Sequence, residues 1–223
     1  MAGFTSRLFR ANSGRHFANP WRHLVLTIVT PAGNQNLVTL ETVKAALGIA
    51  GSADDASLTF LIGQASSMIA THCGRVFIKE VVNETFRPTS PGFKAALMLS
   101  RYPVFAIASV TERGLTLAAS GYAFDQASGV LERIYGDRAG CWSGACVVAY
   151  TGGYGPDGIP VPADLQGAAI ALVDHLRRRA GSNPMVRSSE IAGIGSNTYE
   201  VPSTAIPEFI TCSIEPYRAL PIG

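Results

Sequence analysis

The sequence predicts an α+β fold: a small helical bundle set apart along the chain from an antiparallel β-hairpin and sheet region, with extended arms at both ends. Three observations predict it. Apolar residues recur at helical spacing in three stretches, near 39–48, 55–74 and 162–180. Between the second and third, over about 76–151, short β-branched runs are separated by Gly, Pro, Asn and Ser. Strands do not alternate with helices, which argues against the doubly wound dinucleotide-binding architectures.

Residues 1–20 are rich in Ser, Asn, Gly, Arg and Phe without a clean period, and read as an extended arm that a partner would have to hold. His23 to Thr30 is β-branched and apolar and reads as a short strand broken at Pro31. Thr39 can cap the first helix, Glu41 sits in its first turn where the helix dipole favours an acid, and Gly48 stops it. Ser52 to Asp55 supplies cap candidates for the second helix. There Leu58, Leu61, Ile62, Ala65, Met68, Ile69 and Cys73 form one face, ended by Gly74. Strands are expected near Val76–Phe86, Lys94–Ser100, Val104–Glu112 and Cys146–Thr151. A hairpin is expected from Tyr122–Asp125 and Val130–Ile134 around Ser128-Gly129. The third helix opens at Pro162-Ala163-Asp164 and closes on Arg177-Arg178-Arg179, cations at the negative end of the dipole. Residues 182–205 read as irregular, and Ile206–Arg218 as a short apolar terminal segment. The expected organisation is a basic arm with a short strand (1–36), a core domain (37–181), and a linker with a C-terminal tail (182–223).

A chain of 223 residues with 47% hydrophobic and 15% charged residues can build a sizeable core without staples. The charged fraction is low beside the ~25% of ordinary domains, which leaves apolar surface for partners to cover. No run approaches the ~18–20 apolar residues of a membrane span. The N-terminus lacks the apolar region of an export signal, so Cys73, Cys141, Cys146 and Cys212 are expected to be reduced thiols. Net charge is only +2, but it is unevenly placed. Arg7, Arg10, Arg15 and Arg22 precede the first acid, Glu41, leaving 14 basic and 16 acidic residues in the rest. A basic arm on a near-neutral body can act as an electrostatic tether or simply be a solvated end.

No pattern carries catalysis. Gly152-Gly153-Tyr154-Gly155 follows a strand and precedes a helix, but no Gly-Lys-Ser/Thr accompanies it, and Pro156, Pro160 and Pro162 lack the N–H donors a phosphate needs. Cys141-x4-Cys146 and His72-Cys73 lack the paired tight spacings of zinc sites. His16, His23, His72 and His175 form no evident dyad with a nucleophile. No catalytic, cofactor or metal residue is therefore expected. Arg177–Arg179 admits three readings: a solvated helix end, salt bridges to a neighbouring subunit, or contact with DNA phosphate. For Ile206–Tyr217 two readings stay open, folding back onto its own core or docking on another subunit through its aromatic and aliphatic side chains.

Several pieces, in order, resemble the tailed-phage head–tail connector family, the adaptor or head-completion proteins of siphophages, prophages and gene transfer agents. They are Val25–Gly33 with Leu37–Leu47, Asp54-Asp55 with the following helix, Cys73-Gly-Arg-Val-Phe77, and Arg101-Tyr-Pro-Val-Phe-Ala-Ile-Ala-Ser-Val110. Further along come Tyr122–Asp125, Val147–Tyr154, Val161–Leu165 and Ile214-Glu-Pro-Tyr-Arg218. The resemblance covers roughly residues 25–220 and leaves 1–24 outside it. It implies a non-enzymatic virion protein of the neck, made in the host bacterial cytoplasm. The implied assembly is a ring of copies, typically twelve (a dodecamer), beneath the portal protein. Such a ring extends the channel for genomic DNA, without sequence-specific binding, and presents a docking surface to the stopper or tail-completion protein; no membrane and no cofactor are involved. It also implies that the C-terminal segment reaches the portal, which makes Phe209, Ile210, Ile214, Tyr217 and Arg218 the expected docking residues. Arg177, Arg178 and Arg179 are then expected at a subunit interface or the channel. The nearest rival within the class is a stopper or tail-completion protein; outside it, a phage nucleic-acid-binding module or enzyme. The long second helix and the terminal Pro216-Tyr217-Arg218 favour the adaptor.

Overall fold

The computed structural model of the chain describes residues 23–87, 94–180, 188–191, 195–198 and 206–219. Arg7, Arg10, Arg15 and Arg22 of the basic arm lie outside the described residues. The order begins with strand β1 (His23–Thr30), helices α1 (Leu40–Leu47) and α2 (Asp55–Cys73), and strands β2 (Glu80–Arg87), β3 (Ala96–Met98), β4 (Val104–Glu112) and β5 (Leu115–Thr116). It continues with β6 (Tyr122–Phe124), β7 (Val130–Tyr135), β8 (Arg138–Ala139), β9 (Cys146–Gly152), α3 (Ala163–Ala180), β10 (Ser188–Ile191), β11 (Gly195–Thr198) and α4 (Glu208–Ile214). A single 3₁₀ turn precedes β6 and another follows α4.

The three expected helices form, and α1 is bounded by its expected caps. The Thr39 hydroxyl accepts from the Thr42 N–H, and Gly48 closes α1 at φ +65°. Gly74 closes α2 in the same left-handed conformation. At the start of α2 the expected side-chain cap is absent: Asp54 makes no capping bond, and Asp55 instead takes an ion pair from Lys44 at 2.6 Å, tying α2 to α1. Where residues 182–205 were expected to be irregular, β10 and β11 pair antiparallel, Ser188 opposite Thr198. Their Ser, Gly and Asn composition hid a short hairpin that carries no apolar alternation.

The described strands build a five-stranded antiparallel sheet in the order β1-β2-β9-β4-β5 and a smaller one in the order β3-β7-β6, with β8 beside β7. Strict alternation along β2 and β9 explains why they sit centrally. Val82, Phe86, Cys146, Val148 and Tyr150 point inward, with the side chains between them pointing out. The inward set meets Leu97, Leu131 and Trp142 from the smaller sheet and its flank in one core. Register aligns the outward set in uncharged rows across four strands: Val25, Thr85, Val147 and Thr111 in one, Thr27, Asn83, Ala149 and Ser109 in the next.

A second core lies among the helices. Leu58, Ile62, Ala65 and Ile69 of α2 pack with Leu165, Ala169, Leu172 and Val173 of α3 and with Val43 of α1. The C-terminal segment joins this core through Ile206, Ile210 and Ile214, which are 7%, 1% and 0% exposed. Its backbone also completes α2: the Ala219 N–H donates to the Cys73 carbonyl at 2.7 Å, satisfying a helix-end acceptor.

This packing separates two neighbouring side chains of α4. Ile214→Ala is expected to lower stability by about 2–5 kcal/mol, a buried aliphatic truncation. Phe209→Ala, at an exposed position, is expected to change it by no more than about 0.5 kcal/mol. Urea unfolding of the two variants checks the contrast; equal effects would place α4 off the core.

Candidate functional site

The segments that carry the family resemblance are far apart in sequence and meet at the seam between the two cores. Arg75, just past α2, is stacked on two rings, with its guanidinium carbon 3.6 Å from the Tyr102 ring centre and 5.0 Å from that of Phe77. Its Nη2 donates to the Tyr102 carbonyl, while Nε is sealed from solvent without a hydrogen-bond partner. Burial holds its pKa below the usual guanidinium range, with the Tyr102 and Tyr154 phenols and the Cys73 thiol opposing the shift. Phe77 in turn meets Tyr217 edge to face, with ring centres 6.3 Å apart. The Tyr217 hydroxyl donates to Asp164 at the start of α3, at 2.6 and 2.8 Å. Burial, and then the hydrogen bond to Asp164, raises the Tyr217 pKa.

The glycine pair at the end of β9 belongs to the same seam. A Cβ on Gly152 would collide with the Arg101 carbonyl, and one on Gly153 would stand 2.7 Å from the Ile78 carbonyl oxygen. Gly153 also holds φ +105°. Backbone fills the space on both sides, so these glycines serve close packing, and no room is left for an anion. Tyr154 N–H donates to the Phe77 carbonyl and Lys79 N–H to the Tyr154 carbonyl, which splices the chain after α2 to the chain before α3.

Buried carboxylates tie the Arg101–Pro103 turn and the smaller sheet to the large one. Glu84, fully buried, accepts from the Tyr150 hydroxyl at 2.6 Å and from the Ser100 N–H at 3.0 Å. Burial, and then Glu84 itself, raises the Tyr150 pKa. Glu80 accepts from Arg101 Nε at 2.8 Å. Glu112 accepts from Arg133 Nε at 3.0 Å and from the Ser143 N–H at 2.8 Å, while Arg133 also donates to the Gly121 and Ile134 carbonyls. Each acid is partnered by donors, as buried charge requires. The serine hydroxyls beside two of them, Ser100 and Ser143, are donors to Glu84 and Glu112. Cys73 and Cys146 are buried and their thiols are pushed up to about 11 and about 12 by that burial. Among the described residues no group of three metal-type ligands forms, and no helix is long and apolar enough to cross a membrane.

The predicted interaction residues divide into two sets. Ile210 and Ile214 are core residues of this chain, and Tyr217 is engaged with Asp164 and Phe77. The amphipathic turn of α4 points its aliphatic stripe at α2 and α3. Phe209, 63% exposed, remains outward, as does Arg218, which pairs with Glu215 at 3.0 Å. At the end of α3, Arg177 and Arg178 share Asp174 at 3.5 and 2.8 Å, one turn back on their own helix, and Arg179 is exposed beside them. Sequence reading missed Arg75 as a stacked cation and Tyr217 as the partner of Asp164. Both contacts join residues whose proximity no local periodicity signals.

A family model described as "Head completion protein" matches residues 36–220. No curated protein matches the chain. Among solved structures, a chain from the neck of an empty gene transfer agent (GTA) particle, computed with C6 symmetry, superposes with a TM-score of 0.54 at 18% identity, covering 89% of this chain and 97% of that one. A chain from the neck of a native GTA particle, computed with C12 symmetry, gives 0.53 at 16% identity over 89% and 97%. A chain from the virion of the native particle gives 0.54 at 16% identity over the same shares. At these identities the likeness is one of fold.

The Glu112–Arg133 pair has a pH signature. Burial alone would raise the Glu112 pKa, but the bonds from Ser143 and Arg133 prevail and hold it below its ordinary 4.5. A depressed folded value contributes stability above the unfolded pKa, and that contribution is lost as pH falls through the folded value. Glu112→Gln leaves the Arg133 charge buried, so it is expected to cost about 3–5 kcal/mol at neutral pH. It is also expected to flatten the loss of stability below 4.5; denaturant titrations across that range measure both.

Proposed function

This chain belongs to the head completion protein family, and from that membership we propose that it is the head-to-tail adaptor of a tailed-phage-type particle. The family is structural rather than enzymatic. In the proposed role, copies form a ring under the portal at the particle neck, extend the DNA channel and offer the surface on which a stopper or tail docks. The observation that carries the reading is the extent of the family match, 36–220, which spans the helical core, the sheet core and the tail. The C6 and C12 symmetries of the similarly folded GTA neck chains support a ring, with twelve copies as the proposed number.

The surface chemistry is consistent with that role. A ring subunit needs self-complementary surface and no catalytic group. DNA sliding through a lumen should not be gripped, and Arg177 and Arg178 are already drawn to Asp174, which weakens them as phosphate ligands. We assign Arg177–Arg179 to a subunit interface. At the tail, the docking role passes to the exposed Phe209 with Arg218. Aromatic and arginine side chains are the usual anchors of such contacts.

Negative-stain images of the chain mixed with its portal test the role. A ring-shaped extension on the portal is expected. A bare portal contradicts the adaptor assignment, and binding only to portals that already carry another ring would make the chain a stopper. Phe209→Asp with Arg218→Glu is expected to abolish the extension while leaving the far-ultraviolet circular dichroism unchanged. Deleting residues 206–223 would not be a clean test, because it removes Ile210 and Ile214 from the helical core.

A further inference from the structure

Helix α2 departs from the pattern of a surface helix. It runs 19 residues, and from Ala56 to Thr71 it contains no Asp, Glu, Lys or Arg. One stripe is buried in the helical core, and the opposite stripe of Ala56, Phe60, Gln64, Ser67 and Thr71 is exposed. Phe60 is 71% exposed. Helices that face water normally carry charge on the outward side. Helix α3, of nearly equal length, does so with Asp174 and Arg177–Arg179.

The outer face of the five-stranded sheet departs in the same way. Its rows of Val, Thr, Ala, Ser and Asn carry a charge only at the rim, Arg87. Its first strand, β1, is paired on one side only among the described residues. It has neither charge nor proline to guard the edge, and Val25 and Val29 are about half exposed. Lone molecules protect such strands, because an open apolar edge invites pairing.

Resting on the reading of the chain as a neck ring subunit, we propose that the outward stripe of α2 of one copy lies on the outer face of the five-stranded sheet of the next copy. A ring is closed by heterologous contacts, so each copy must present two different surfaces that fit one another. Burying an unpaired ion is costly, so both surfaces must lack charge where they meet, and away from Arg87 at the rim these two do. Their lengths agree: a 19-residue helix is about 28 Å long, and strands of seven or eight residues are about 23–27 Å. Beyond the single Arg87 at the sheet's rim, neither surface carries the cluster of cations that DNA or an acidic partner would need. A helix laid on a sheet in this way covers on the order of 300 Å² a side, taking ~10 Å for its width. That is short of the ~800 Å² of a stable free pair. The contact therefore closes on a template that already holds the copies side by side.

A photo-reactive phenylalanine analogue at position 60, in the full chain expressed in cells that make particles, tests the contact. Phe60 is outward and packs on nothing essential, so the replacement keeps the fold. After irradiation of purified particles, the expected product has twice the chain mass, with position 60 joined to a peptide of β1, β2, β4 or β9 of a second copy. Joining to a different protein, to residues 1–22, or to α2 of another copy overturns the proposal, and so does the absence of any product. Failure of the unsubstituted chain to enter particles is a separate outcome. It overturns the adaptor reading, and the ring contact with it.

Discussion

A guanidinium held between two aromatic rings is the contact on which the joint between the cores depends. Arg75 leaves α2, stacks on Tyr102 and Phe77, and donates to the Tyr102 carbonyl. A cation–π contact shielded from water is stronger than an exposed one, and here two rings share one cation. Around it, Gly152 and Gly153 let backbone pass against backbone, and Tyr217 reaches Asp164. Sheet, helices and tail all meet there. The tail is structural, since its aliphatic side finishes the helical core and leaves Phe209 and Arg218 among its exposed residues.

The fold was legible wherever a local rule operates. Thr39 and Gly48 bound α1, and the apolar spacing from Leu58 to Cys73 set the buried stripe of α2. The β4 strand runs from Val104 to Glu112, as its β-branched composition indicates. What remained hidden depends on distance in sequence. Nothing near Arg75 announces Tyr102, and nothing near Asp164 announces Tyr217. Ile210 and Ile214 looked equally suited to docking and to core packing, because an amphipathic segment carries the same pattern whether its apolar side meets its own fold or another chain. The pair β10 and β11 was missed because composition alone suggested a linker.

Charge placement links this architecture to assembly. The buried acids Glu80, Glu84 and Glu112 are spent inside, each with its donors, fixing the turn at Arg101 and the flank at Ser143. Much of what remains charged and exposed gathers at the end of α3, on the β7–β8 hairpin and along α4. The long outer side of α2 and, within its Arg87 rim, the broad outer side of the sheet are left neutral. A free monomer gains nothing from such surfaces, whereas a subunit flanked on both sides by its own kind does. The structural character of the family and the abundance of neutral surface thus belong to the same account.

Hydrogen–deuterium exchange, read on the free chain and on the chain within particles, tests that account most directly. Amides of β1 and α2 should slow on assembly, while those of β9 and the Phe77–Tyr154 splice, already enclosed, should not change. Equal exchange of β1 and α2 in the two states would mean that assembly leaves both neutral surfaces in water, and the account would be wrong.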